Sequence, residues 1–233
     1  MYQTLTMRIT LPTLTLFCIV FVSCGANRNV YKSSDFESKS YRHQNIAVLP
    51  FHITQSGHKA KNTTDEAINA ANEKLGYTFQ ESLQAYLLRY TSRNKKGPII
   101  SFQGLQKTNA ILSENNIDIE EAYHRQPKEL AKLLGVDAVL MTTLENEKNF
   151  SDGVAYGLKA GRAILGAIGQ GSRAGVLHMN ASDINMSAYL YDAADSKLLW
   201  QTFRKGGTDL PSGVDDLVEY YSNWIAKKFP YKS

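Results

Sequence analysis

Between Asn45 and Phe229 the apolar positions fall into blocks with alternating strand-like and helical spacing. Asn45-Ile-Ala-Val-Leu-Pro-Phe51 is a short apolar run ended by Pro50. Proline has no N–H for a ladder, so the run predicts a buried strand leaving its sheet. A polar loop is expected from Thr54 to Thr64, with Thr63-Thr-Asp-Glu66 as a capping box. Ala67, Ala71, Leu75, Phe79, Leu83 and Leu87 then recur every four residues, with Tyr86 and Tyr90 beside them. That spacing predicts a long amphipathic helix ending near Arg93. Gly97-Pro98 breaks the chain before a second strand at Ile99–Phe102.

A helix through Leu105, Ile111 and Leu112 is expected next, and another from Pro127 that packs Leu130, Leu133 and Leu134. Gly135 is its expected C-terminal cap, and Val136–Met141 a third, central strand. From Ile184 to Tyr191 the pattern alternates. Ile184, Met186, Ala188 and Leu190 share one face, and Asn185, Ser187, Tyr189 and Tyr191 the other. After the turn Asp192–Ser196, the run Leu198, Leu199, Trp200 and Phe203 predicts an antiparallel partner with Trp200 and Phe203 in the core. Ser212 and Asp215 form a second capping signature, and Val214, Leu217, Val218, Tyr221, Ile225 and Phe229 line a C-terminal amphipathic helix. Asp215 and Asp216 at its start and Lys227 and Lys228 at its end suit the helix dipole. The predicted class is α/β: a single mixed-sheet domain with flanking helices and a C-terminal amphipathic helix.

The amino terminus breaks this pattern. Residues 1–23 hold one charge, Arg8, and an apolar run from Leu14 to Val22 that stops at Ser23-Cys24. These are the parts of a secretory signal. The run is too short to cross a hydrocarbon core, which needs about 20 residues. Phe21-Val22-Ser23-Cys24 resembles the lipobox of bacterial lipoproteins, with Phe where Leu is commonest and Val at the next position. The expected organisation is a lipoprotein signal peptide over 1–23, a flexible tether over 24–44, and an α/β periplasmic domain over 45–233 with a Gly-rich insertion at 146–182. Cys24 is the expected site of lipid attachment. Cleavage would remove Cys18 and leave Cys24 as the only cysteine, so no intrachain disulfide forms. Two or more acyl chains give stable anchoring.

Charge excludes one class of partner. The chain carries 26 basic and 22 acidic residues, formally +4, and +3 once Arg8 is removed. No dense Lys/Arg block appears, only the short Arg93-Asn94-Lys95-Lys96 stretch, and nucleic-acid binding needs a clustered basic face. Nor does a catalytic pattern emerge. His43, His52, His58, His124 and His178 are scattered, and no metal spacing occurs among them. Ser56 and Ser172 lack a Gly-x-Ser-x-Gly elbow. Glu120 and Glu121 read as a solvated helix start, and Asp192 and Asp195 as turn formers. No enzyme, cofactor or metal is expected.

Three segments carry a family resemblance: Asn45-Ile-Ala-Val-Leu-Pro-Phe51, Lys128-Glu-Leu-Ala-Lys-Leu-Leu-Gly-Val-Asp-Ala-Val-Leu140 and Met186-Ser-Ala-Tyr-Leu-Tyr-Asp-Ala-Ala-Asp-Ser-Lys-Leu-Leu-Trp200. In this order the chain resembles the curli-secretion-channel lipoprotein family. It is also similar to the amino-terminal domain of the Tol-system translocation protein and to related periplasmic lipoproteins of unknown function. Ser196-Lys197 stands where the family often has a turn glycine. The resemblance implies a non-catalytic periplasmic accessory or assembly factor. Its implied partners are the membrane, through the lipid anchor, and an envelope protein. If sorting follows the enteric pattern, Gly25 after Cys24 implies the periplasmic face of the outer membrane.

Gly153 to Gly175 holds seven glycines in 23 residues. Gly153, Gly157 and Gly161 are four apart and on a helix would form a smooth ridge for close approach. With Gly166 and Gly169 they are candidates for membrane or oligomer contact. In the curli-channel family such insertions supply barrel strands, which implies the alternative of an oligomeric secretion-channel subunit. Ala163–Ser172 has about the length of one barrel strand but lacks its alternation. Gly169-Gln-Gly171 with Gly175 lacks the strand before and helix after that a dinucleotide loop needs.

Overall fold

A computed structural model of the chain describes residues 29–56, 64–92, 99–147, 184–206 and 214–231. In chain order the elements are β1 Val30–Lys32, α1 Phe36–Ser40, β2 Asn45–Val48, β3 His52–Ser56, α2 Asp65–Thr91, β4 Ser101–Phe102 and α3 Leu105–Glu114. They continue with α4 Ile119–His124, α5 Pro127–Leu134, β5 Ala138–Glu147, β6 Ile184–Asp192, β7 Leu198–Lys205 and α6 Val214–Lys228. Seven strands form one mixed sheet in the order β1-β7-β6-β5-β2-β4, with β3 also on β5. The α/β mixed-sheet class expected from the sequence is the one observed.

The period of two along each strand builds two cores. Val48, Leu140, Met186, Leu190 and Trp200 face α2 and α6, where Phe79, Leu83, Leu87, Tyr221 and Ile225 meet them. Ala47, Leu49, Val139 and Met141 face Leu112, Leu130 and Leu134 on the other side. Strands buried on both faces read as unbroken apolar runs, which is why β2 and the start of β5 lack alternation.

β5 is served by two strands laid end to end. β2 pairs with Ala138–Leu140, and β3 with Thr143–Glu147, both in parallel. Pro50 sits in the gap between them and has no N–H to give. Tyr123 of α4 repairs the ladder there. Its hydroxyl accepts the Thr142 N–H at 2.7 Å and lies 2.7 Å from the Thr142 carbonyl and 2.9 Å from the Pro50 carbonyl. Burial pushes the phenol well above its ordinary pKa, so it stays protonated and donates to one of those carbonyls.

The same crossing explains a glycine inside α2. The Phe51 N–H donates to the Gly76 carbonyl at 3.1 Å. A Cβ on Gly76 would stand 2.4 Å from the Phe51 oxygen, so only glycine lets the helix come this close. One turn on, Gln80 Nε2 donates to the Val48 carbonyl at 2.8 Å. α2 therefore runs antiparallel to β2 and β3.

Several local expectations are revised. Thr64, not Thr63, caps α2, accepting the Ala67 N–H at 3.3 Å, so Glu66 is not the reciprocal partner of a capping box. Residues 52–56 form β3, although a polar loop was expected to begin at Thr54. β5 runs on past Met141 to Glu147 because β3 and β6 both pair with it. Gly135 caps α5 at φ 67° as expected. Ser196 adopts φ 59°, the left-handed conformation that a turn glycine would favour. Its hydroxyl is used there, accepting the Lys128 N–H at 2.9 Å. Ser212, of the second capping signature, lies outside the described residues.

Candidate functional site

Residues 29–44, expected to belong to the tether, are part of the domain. Val30, Tyr31 and Lys32 pair antiparallel with Thr202, Gln201 and Trp200, so β1 is the edge strand beyond β7. The Phe203 N–H donates to the Asn29 carbonyl at 3.0 Å, and the Thr202 hydroxyl donates to the same oxygen at 3.0 Å. α1 then turns Phe36 into the first core, edge-to-face with Tyr231 at 5.2 Å between ring centroids. Phe36 and the β1 ladder bind this stretch to the sheet.

A buried polar network clamps this strap. His43 Nε2 lies 2.9 Å from Asp192 Oδ1, with the two side chains 2% and 4% exposed. Tyr231 hydrogen-bonds the other ring nitrogen, Nδ1. Burial raises the Tyr231 phenol well above its usual value, so it keeps its proton in this contact. Nε2 donates to the Asp192 carboxylate, which can only accept. The second Asp192 oxygen takes a hydrogen bond from Lys39 Nζ at 2.9 Å. Lys39 also reaches Asp195 at 2.7 Å, and Lys197 pairs with Asp35. The amino-terminal strap, the β6–β7 turn and the chain's final turn are thereby joined at one end of the sheet.

Asp192 and Asp195, expected only as turn formers, hold this network as well. Asp195 is lowered to about 2, first by the Lys39 hydrogen bond and then by the Lys197 backbone N–H. Asp35 is lowered as well, chiefly by Lys197 and Ser34. A His-Asp pair with a tyrosine hydroxyl has the parts of an acid–base relay. Here every polar end is spent on another member of the group, and His43, Asp192 and Tyr231 are all buried.

Among the described residues, helices cover only half of the second sheet face. α3, α4 and α5 pack over β2, β3, β5 and β6. Beyond them, one row of paired residues runs Met141, Tyr189, Gln201, Tyr31, and the next runs Thr143, Ser187, Phe203, Asn29. Tyr31 is 48% exposed and Phe203 39%, so Phe203 is not the core residue its sequence suggests. The Tyr189 and Tyr191 rings stack at 6.2 Å beside them. Phe203 escapes burial because its strand parity turns it to the side that no helix among the described residues covers. Its neighbour Arg204 lies on the opposite face, over the rings of Tyr220 and Trp224 in α6.

Cys24, Gly153, Gly157, Gly161, Gly166 and Gly169 lie outside the described residues. The structure does fix where their segment joins the fold. Asn146 and Ile184 are cross-strand partners, so β5 and β6 close on each other at the residues that flank 148–183. Among the described residues, no group of three or more metal-binding side chains converges, and no helix is long and apolar enough to cross a membrane.

No family model matches this chain, and no curated protein does. Some solved structures are similar at low identity. Lipoprotein GNA1162 from Neisseria meningitidis is 15% identical, with 79% of this chain and 99% of that chain covered and a TM-score of 0.38. The LpoB C-terminal domain from Salmonella enterica is 9% identical over 74% of this chain and 93% of that one, with a TM-score of 0.36. A PelC dodecamer from Paraburkholderia phytofirmans is 12% identical over 88% and 97%, with a TM-score of 0.34. At such TM-scores the likeness decides nothing about this chain's function. The fold defines a mixed-sheet α/β domain whose amino-terminal strap is built into the sheet.

Proposed function

We propose that this protein is a lipid-anchored periplasmic accessory lipoprotein, held at the outer membrane through Cys24, that assists the assembly or stability of an envelope machine. The observation that carries this reading is the lipobox-like Phe21-Val22-Ser23-Cys24 placed where the apolar run stops. The reading is non-catalytic, and it is consistent with the burial of the relay-like group His43, Asp192 and Tyr231 among the described residues. The partner is an envelope protein.

An oligomeric secretion-channel subunit is the second reading. It is favoured by the placing of the Gly-rich stretch 153–175 between the paired ends of β5 and β6, where added hairpin strands would enter. Sizing of detergent-extracted protein together with conductance across planar bilayers separates the two. A small, non-conducting species agrees with the accessory role. A large ring that conducts would replace it with the channel.

A further inference from the structure

We infer that the half of the second sheet face that no described helix covers, centred on Tyr31 and Phe203, rests on the phospholipid surface of the membrane that holds the anchor. This rests on the reading of Cys24 as the lipid-bearing residue.

The length of the link sets the geometry. Cys24 precedes Asn29 by five residues, which span at most about 18 Å when fully extended. Asn29 lies in the sheet row of Phe203, Ser187, Thr143 and His52. Along the backward direction of β1 the sheet continues four more rows, to Glu147 and Ser56. At about 3.3 Å per residue that is roughly 13 Å. A lipidated Cys24 therefore clears the end of the sheet by no more than about 5 Å. The domain cannot hang free of the bilayer. It meets the surface either with that end of the sheet or with the β1–β7 side.

Surface chemistry chooses the side. α2 passes Phe51 at Gly76 and Val48 at Gln80, so its eleven preceding residues point toward the Ser56 end and carry Asp65 and Glu66 in the first turn. Carboxylates there disfavour contact with anionic headgroups. The β1–β7 side offers the opposite character. Tyr31 and Phe203 are exposed apolar rings within reach of the link, Tyr189 lies beside them, and exposed Lys205 projects from the same face as Phe203. Aromatic rings with a polar or cationic neighbour suit the headgroup level of a bilayer.

The test uses the full-length lipidated protein in vesicles of phosphatidylethanolamine and phosphatidylglycerol whose acyl chains are brominated near the headgroup. Tryptophan is placed at Phe203 (Phe203→Trp) or, on the far edge of the sheet, at Ile99, which is 93% exposed (Ile99→Trp). The emission each adds to that of Trp200 and Trp224 is recorded, and flotation with the vesicles is measured separately. The expected result is loss of most of the added emission in Phe203→Trp and none in Ile99→Trp. Vesicle-bound protein in which neither is quenched, or both are equally, overturns the docking face and leaves the lipoprotein reading intact. Phe203→Trp emission that shifts blue with protein concentration, unquenched by the brominated lipid, assigns the face to a second copy and also overturns it. Wild-type protein that does not float removes both readings.

Discussion

His43 of the amino-terminal strap and Asp192 at the end of β6 stand 2.9 Å apart, Nε2 to Oδ1, although 149 residues separate them in sequence. Lys39 and Tyr231 complete the shell around them. A buried carboxylate that loses its charge leaves donors without an acceptor, so breaking such a group from one side is costly. Asp192→Asn is expected to destabilise the domain by about 3 kcal/mol. Urea denaturation followed by circular dichroism measures this. Proteolysis should meanwhile become faster in residues 29–44 than elsewhere, because the strap loses its clamp first.

The outer part of the same clamp gives a pH signature. Asp195 is held at about 2 in the folded chain against an ordinary value of 3.8. A folded value below the unfolded one means stability that is fully present above about pH 4 and lost as pH falls toward 2. Lys39, Asp192 and Lys197 surround the carboxylate, so its ionisation is read through their pairing. The gap in melting temperature between wild type and Asp195→Asn is expected to be present at neutral pH and to close across that acid window. A gap unchanged down to the lower end of the window would show that the carboxylate contributes no pairing energy.

Tyr123→Phe isolates the ladder repair. The phenylalanine keeps the ring beside His52, 5.1 Å away between centroids, and removes only the hydroxyl. The Thr142 N–H then has no acceptor in the gap left by Pro50. A loss of about 1–3 kcal/mol is expected. Faster amide exchange at Thr142 than at Leu140 would locate the loss in the ladder.

Removal of Val154–Arg173 should spare the fold. β5 and β6 pair from Ala138↔Asp192 to Asn146↔Ile184 without any residue of that segment. Shortening a connection changes loop-closure entropy only slowly, by about 0.6 kcal/mol per halving. The deleted protein is expected to unfold cooperatively, with a melting temperature close to that of the full chain. Loss of cooperative unfolding would make the segment part of the core.

How far the sequence reveals the fold depends on where pairing information lies. β6 and β7 are legible because Ile184, Met186, Ala188 and Leu190 alternate strictly and one face is buried. α2 is legible from its four-residue recurrence, although Gln80 and Gln84 inside the buried stripe serve backbone carbonyls that no periodicity displays. β3 is hidden because Ile53 is the only apolar residue in His-Ile-Thr-Gln-Ser, and β5 supplies its stability. β1 is hidden because it is only three residues long and lies on an edge. The clamp could not be read at all. Asp192 and Asp195 have the residue types of an ordinary turn, and nothing local links them to Lys39 or His43. Phe203 carries the opposite lesson: its hydrophobicity suggests core, while strand parity turns it outward. Cys24 needs no tertiary information, since the signal is linear.

The account depends most on the covalent state of Cys24. Expression in a bacterial host with labelled palmitate, comparing wild type with Cys24→Ala, tests it directly. The expected result is label and membrane association in the wild type, both lost in Cys24→Ala while the domain stays folded. A wild-type protein that is exported without label, or a Cys24→Ala protein that keeps it, would contradict the anchor and the accessory role built on it.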